Sequence, residues 1–199
     1  MAIPTIPDIP TIEDILDEVL RSEGGFVEDP ADPGGATNHG ISLRYARGLG
    51  LGRGLDNDGD GDTDRDDILL VTAEQARDLY RDDFWIRPGI SRLPGEIQPV
   101  MVDWAVNGGP PRPIMALQRV INLAQIGHVL DDDGVMGPKT RRAAEHAQLE
   151  MGPFFNNAIV DERITFYRRL VDARPDSERF LRGWLARAER FRLETDDVA

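Results

Sequence analysis

Glu23, Asp32 and Thr37 follow one another within a short stretch of this chain. One carboxyl held neutral, one carboxylate held ionised and a hydroxyl that orients water are the groups glycoside hydrolysis requires. Glu23 continues an apolar stripe of Ile12, Ile15, Leu16, Val19 and Leu20, whose spacing is that of a helix with one buried face. Gly24 and Gly25 follow at once and read as its C-terminal stop. A carboxyl extending an apolar face, with no cation beside it in sequence, is partly desolvated, and desolvation shifts it towards the proton-donating form near neutrality. The competing reading is a surface glutamate in a fraying last turn. Asp32 sits in the turn-rich run from Asp29 to Gly35, which leads through Thr37 and Asn38 into Gly40-Ile41 and reads as tight turns entering a short strand or hairpin. Such a region, folding back from the helix end, can face Asp32 and Thr37 towards Glu23 across a cleft.

A second group of residues has the chemistry of a hard-cation site. From Asp56 to Asp67 the chain reads DNDGDGDTDRDD. Oxygen ligands fall at loop positions 1, 3, 5, 9 and 12 (Asp56, Asp58, Asp60, Asp64, Asp67), with the backbone carbonyl of Asp62 at position 7 and glycine at position 6. Alternate side chains then converge on one calcium ion, and the glycine permits the sharp turn. Position 12 carries aspartate where an EF-hand has a bidentate glutamate, so the loop is similar to the dockerin type and the expected calcium is structural. The alternative is a solvated acidic loop.

The order E-x8-D-x4-T resembles the E-x8-D-x5-T triad of phage-type lysozymes, one residue short in the second gap. The longer string EGGFVEDPADPGGATNHGIS, from Glu23 to Ser42, resembles glycoside hydrolase family 108 N-acetylmuramidases, a family of phage endolysins and muramidase-like secretion activators. The resemblance covers roughly residues 12 to 192. It implies Glu23 as the acid, Asp32 as base or stabiliser of the oxocarbenium, and Thr37 as the group placing water. The shortened gap bears most on Thr37. It also implies a mainly α, lysozyme-like two-lobed helical fold with a small β-hairpin, and a cleft between its helical halves.

Further along, Tyr80 and Trp85 in LYRDDFWIRPGISRLP are similar to the family's aromatic segment before a proline-containing loop. They read as sugar-stacking residues or as core. VDWAVNGG, from Val102 to Gly109, is similar to a family helix lying against the cleft. A lone acid on an apolar helix needs a partner, so Asp103 is either hydrogen-bonded structure or a cleft residue. Asn107 either caps that helix or holds a sugar acetamido group, and Asn38 is grouped with these substrate contacts. From Ile114 a leucine-glutamine helix, the turn DG-x-x-G-P-x-T and a second helix resemble a small peptidoglycan-binding repeat, with Thr140 available as a cap. The pieces Arg163 to Tyr167 and Phe180 to Arg187 also look like the family and read as packing.

The chain has 199 residues, 40% hydrophobic and 30% charged, which suits a folded globular protein rather than a disordered one. It has no cysteine, so neither disulfide nor thiol chemistry supports it. A formal net charge of −13 opposes binding to nucleic acid. The charge is segregated: Asp56 to Asp67 carries a net of −6, and Asp161 to Arg192 a net of +3. No apolar run reaches the ~20 residues of a membrane span, and the N-terminus, with prolines at 4, 7 and 10, lacks the basic and apolar regions of a secretory signal.

The expected organisation is an extended leader at 1–11, a muramidase-like part at 12–95 with the calcium loop inserted at 56–67, and a helical peptidoglycan-binding-like part at 96–199 packed on it. The expected activity is cleavage of the β-1,4 bond between N-acetylmuramic acid and N-acetylglucosamine, with inversion, on glycan strands of the periplasmic or extracellular wall. The protein would be made in the cytoplasm, would not insert in a membrane, and would need a holin or a secretion apparatus for export. The alternatives are a catalytically weak or inactive wall-docking protein, acting in secretion or in particle entry or release, and a calcium-regulated interaction protein.

Overall fold

The computed structural model describes residues 10–28, 35–49 and 55–195. The fold is mainly α with one small hairpin, and it divides into two compact units, Leu16–Asp82 and a larger one built mostly from Asp83 onward.

Helix α1 (Ile12–Glu23) starts at a reciprocal cap. The Thr11 N–H donates to Asp14 at 2.9 Å, and the Asp14 N–H donates to the Thr11 hydroxyl at 3.1 Å. Ile15, Leu16 and Val19 on its apolar stripe are buried. Gly24, with a φ of 74°, turns the chain out of the helix immediately after Glu23.

In the smaller unit, β1 (Thr37–Asn38) and β2 (Ile41–Ser42) pair antiparallel, with Thr37 opposite Ser42 and Asn38 opposite Ile41. His39 and Gly40 both have positive φ, 49° and 78°, the tight two-residue turn whose twist suits a hairpin. Helices α2 (Leu43–Leu49), α3 (Arg65–Leu70) and α4 (Ala73–Arg81) complete the unit around a modest core that includes Ile41, Ala46, Leu55, Ile68, Val71 and Leu79. Thr72 caps α4, with Gln75 answering as the second half of a capping box.

The larger unit is a helical cluster. Helix α5 (Gln98–Gly108) is buried without a break from Val100 to Ala105, so it forms the centre rather than a face. Helices α6 (Pro111–Leu123), α7 (Pro138–Met151), α8 (Pro153–Ala173) and α9 (Glu178–Glu189) pack around it. Before α7, the chain is held by the buried Gln118, which donates to Asp133 Oδ1 at 2.8 Å and accepts the Gly134 N–H at 3.0 Å. Together with the Val135 N–H, this contact keeps the exposed Asp133 carboxyl below the usual range, the backbone bond being the larger effect. Thr140 does not cap α7: the helix begins at Pro138, and Thr140 is buried inside it, its hydroxyl donating to the Val135 carbonyl at 3.4 Å.

Gly134 has a φ of 71°, and a Cβ there would lie 3.0 Å from the Pro111 carbonyl oxygen. Gly134→Ala is therefore expected to cost about 1–3 kcal/mol in urea unfolding. Gly183→Ala, within α9 and facing open space, is expected to stabilise by about 0.5–1 kcal/mol in the same assay.

Candidate functional site

The segment that follows Glu23 is closed at its neck by a pair of backbone bonds. The Val27 N–H donates to the Thr37 carbonyl and the Thr37 N–H donates to the Val27 carbonyl, each at 2.8 Å. This closure returns the chain to within a few residues of the α1 terminus, and the half-buried Thr37 sits at the returning side. Asp32 lies outside the described residues. Backbone position therefore brings the end of α1 and Thr37 into one region.

Helix α3 braces that neck. Arg65, its first residue, pairs with Glu28 at 2.8 Å and lies 5.3 Å above the Phe26 ring. At the other end of α3, the Asn38 side-chain amide donates to the carbonyls of Ile68, Leu69 and Val71 at 3.1–3.2 Å. Asn38 is buried, at 6% exposure, so its amide fastens the hairpin to α3 and is not a sugar contact, a correction to the sequence reading. A surface residue facing sugar could not have satisfied three helix-terminal carbonyls.

Beside the hairpin turn lies a groove of about 840 Å³, lined by Asp17, Leu20 and Arg21 of α1, His39 of the turn, and Ala73, Glu74 and Arg77 of α4. Asp17 and Arg77 form an ion pair across it. The lining combines the apolar Leu20 and Ala73 with charges of both signs, which suits a sugar chain with acetamido and carboxyl groups. Sequence reasoning passed over Asp17 and Arg77, because a charged pair 60 positions apart leaves no local signal.

The carboxylates of the acidic loop gather in two groups. The carboxylates of Asp56, Asp58 and Asp60 come within 4.8 Å of one another, as do those of Asp62, Asp64 and Asp67. The Asp56, Asp58 and Asp60 side chains accept backbone N–H groups from Gly59, Asp60 and Asp62 at 2.8, 3.2 and 3.1 Å. Repulsion from Asp60, then desolvation, pushes the Asp62 carboxyl up. Asp58 is also raised: the Asp60 N–H works against it, but desolvation and the charges of Asp60, Asp67 and Asp64 outweigh that bond. Asp67 differs from the rest. It is fully buried, and it accepts N–H groups from Asn57 at 2.6 Å, Asp58 at 3.3 Å and Asp64 at 2.8 Å. Burial alone would raise its carboxyl, yet the three backbone bonds hold it below the usual range. Its first task is to close the loop and complete the cap of α3.

The remaining sites expected from the sequence fall in two places. Tyr80 is partly buried against the core of the smaller unit. In the larger unit, Trp85 is partly buried, its indole N–H donating to Gln98 Oε1 at 2.8 Å. Asn107 is exposed at the end of α5 and donates to the Asp103 carbonyl at 2.6 Å. Asp103 has no exposure. Arg163 Nη2 donates to Asp103 Oδ2 at 2.6 Å, and Arg187 donates to both carboxylate oxygens, at 2.7 Å for the shorter contact to Oδ1. Such a carboxylate has no face left for sugar, so of the two readings of Asp103 its contacts support hydrogen-bonded structure. The partners come from the two pieces read as packing, Arg163 to Tyr167 and Phe180 to Arg187.

Residues 16–109 match the family model described as Glycosyl hydrolase 108, and residues 112–189 match that of a Predicted Peptidoglycan domain. Residues 16–109 are a glycosyl hydrolase 108 domain. A solved structure of Brucella abortus SagA is similar to the chain at a TM-score of 0.61 and 28% identity, covering 90% of each. None of the curated proteins matches. The chain is thus a peptidoglycan-acting, lysozyme-like protein. Among its described residues no helix is long and apolar enough to cross a membrane.

Removing Asp103 would leave the fully buried Arg163 without its carboxylate. Asp103→Ala is expected to lose about 3–5 kcal/mol of stability by urea unfolding. Unchanged unfolding with weakened glycan binding would instead return Asp103 to the substrate.

Proposed function

We propose that the protein is an N-acetylmuramidase that hydrolyses the β-1,4 bond between N-acetylmuramic acid and N-acetylglucosamine. The observation that carries this reading is the Val27–Thr37 closure within the glycosyl hydrolase 108 match, which returns Thr37 to the end of the helix that Glu23 terminates. In this reading Glu23 protonates the leaving oxygen. The C-terminal end of a helix carries partial negative charge, which disfavours a further negative charge beside it and suits a residue that must stay protonated until the bond breaks. Asp32 acts as base towards water or stabilises the oxocarbenium, and Thr37 helps to place that water. With the carboxyl groups ~6.5–9.5 Å apart, water fits between them and the product is inverted. The groove beside His39 takes the glycan strand; Tyr80 in the smaller unit, and Trp85 and Asn107 in the larger one, are each proposed as sugar contacts of their own unit.

The test is release of reducing ends from purified peptidoglycan, with the anomeric form of the first product read by NMR. Glu23→Gln should lower the rate by about 10²–10⁴-fold while leaving the fold intact by circular dichroism. An α-configured first product is expected. A parent that binds wall and releases nothing would replace hydrolysis with the docking reading, which the peptidoglycan domain at 112–189 favours.

The aspartate loop fits a calcium ion: the donors are hard oxygens in two converging groups, crowded enough to raise Asp58 and Asp62. Asp56, Asp58, Asp60, Asp64 and the Asp62 carbonyl would hold it, with Asp67 closing the loop behind them. Calcium is structural in this reading. Calcium should raise the thermal midpoint and a chelator lower it, and an Asp58→Asn, Asp60→Asn double variant should not respond. Protons compete for the same oxygens, so the response should fade as pH falls through the carboxylate range. A midpoint indifferent to calcium at neutral pH would leave only a solvated acidic loop.

In this reading a holin or a secretion apparatus carries the protein to the wall. Export measured with and without such a route would test this.

A further inference from the structure

Two of the three histidines of the chain meet in the peptidoglycan-domain half, and neither has a role in the readings above. His128 lies between α6 and α7, and His146 lies on α7. His128 Nε2 and His146 Nδ1 are 3.0 Å apart, with the rings edge to face. Both side chains are partly exposed, so an ion can reach them from solvent. Glu150, one turn further along α7, places Oε1 3.6 Å from the other ring nitrogen of His146.

The backbone that carries His128 is fixed from both sides. Asn122 Oδ1 accepts the Leu130 N–H at 2.8 Å, and its amide donates to the Leu130 carbonyl at 2.9 Å. Gln125 and Gly127 turn the chain with positive φ of 54° and 83°. The two imidazoles are thus delivered to each other by separate elements, and neither depends on the other for its backbone position.

We propose that His128 Nε2 and His146 Nδ1 are the two protein ligands of a divalent transition-metal site of the copper or nickel class. Two neutral imidazole nitrogens are the donors such ions prefer. At metal–nitrogen distances of about 2.0–2.1 Å, a separation of 3.0 Å subtends about 90° at the metal. That is the angle between neighbouring positions of a tetragonal ion, whereas tetrahedral zinc would need the nitrogens about 3.3–3.4 Å apart. Glu150 takes the role of the outer carboxylate: it favours the proton on His146 Nε2, which leaves Nδ1 with its lone pair for the ion. Water fills the remaining positions. The bound ion joins the segment between α6 and α7 to α7 itself.

The experiment is a copper(II) titration of the full chain with calcium in excess to occupy the aspartate loop, followed by electron paramagnetic resonance. Hyperfine structure from two imidazole nitrogens is expected, lost in His128→Gln and in His146→Gln. Glu150→Gln should weaken binding by about 10-fold. Backbone amides around residues 125–130 should exchange more slowly with the ion bound. Copper held by oxygen donors alone, or the same two-nitrogen spectrum in either histidine variant, overturns the site. Thermal midpoints of the variants without metal show whether each remains folded when its spectrum is read. Nickel should bind more weakly than copper; zinc binding tighter than both would overturn the tetragonal geometry.

Discussion

A carboxylate removed from water must have its charge answered by hydrogen bonds or cations, and each unit of this protein is arranged around one that does so. In the smaller unit it is Asp67, in the larger Asp103, and neither has any exposure. Asp67 is answered by three backbone N–H groups, so the loop from Asn57 to Asp64 can close only in the path that points those groups inward. Asp103 is answered by two guanidinium groups, from α8 and from α9, which sets how both helices approach α5. Replacing such an ion group with well-packed apolar side chains often leaves stability unchanged or improves it. What the group contributes here is a fixed arrangement of the three helices. Arg163 has further contacts: its Nε donates to the Tyr167 hydroxyl at 3.0 Å, and its guanidinium lies 5.7 Å from the centre of the Trp104 ring.

The helices were legible because their signals are local. The α1 stripe and the apolar run of α5, interrupted only by Asp103, each depend on residues within a turn or two of one another. The hairpin was legible for the same reason, since the turn at His39-Gly40 needs positive φ at neighbouring positions. The positions whose roles the sequence did not settle share the opposite property. Asn38 looked like a cleft residue because its three acceptors lie some 30 positions away, at the far end of a helix. Asp103 was seen to need a partner, but Arg163 and Arg187 are 60 and 84 positions distant. The family-like pieces that contain those arginines were visible, yet nothing local tied them to Asp103. Glu23 and Asp32 drew their roles from resemblance and order, and Asp17 and Arg77 had neither to mark them.

The size of the smaller unit bears on what its acidic loop is for. Leu16–Asp82 is a unit of roughly 70 residues, in the range where a single apolar core rarely suffices and metals or other staples are common. Its buried apolar residues are mostly alanines and single aliphatics, with no fully buried aromatic among the described residues. The loop is fastened at its closing end by Asp67 and, through Asn57, to Gln75 of α4 at 2.6 Å. A cation bound among the aspartates would remove their mutual repulsion and leave those fastenings in place, which stabilises the unit without enlarging its core.

That stabilisation has a path to the proposed catalytic turn. The cap that Asp64 and Asp67 build is the start of α3, and Arg65 in its first turn holds Glu28 at the neck of the segment bearing Asp32. The other end of α3 is held by Asn38 of the hairpin, next to Thr37. One short helix therefore carries the order of the acidic loop to both sides of the Val27–Thr37 closure. Six residues of helix cannot hold themselves in water, so α3 keeps its form only while its cap and its contacts are made. Along the sequence the acidic loop and Glu23 look unrelated; in the fold, the helix that the loop caps is the support of the turn that follows Glu23. An ion bound in the loop as proposed would make the loop's order and the placement of Thr37 parts of one mechanical problem, and its removal would disturb the proposed catalytic turn without any ligand contacting it.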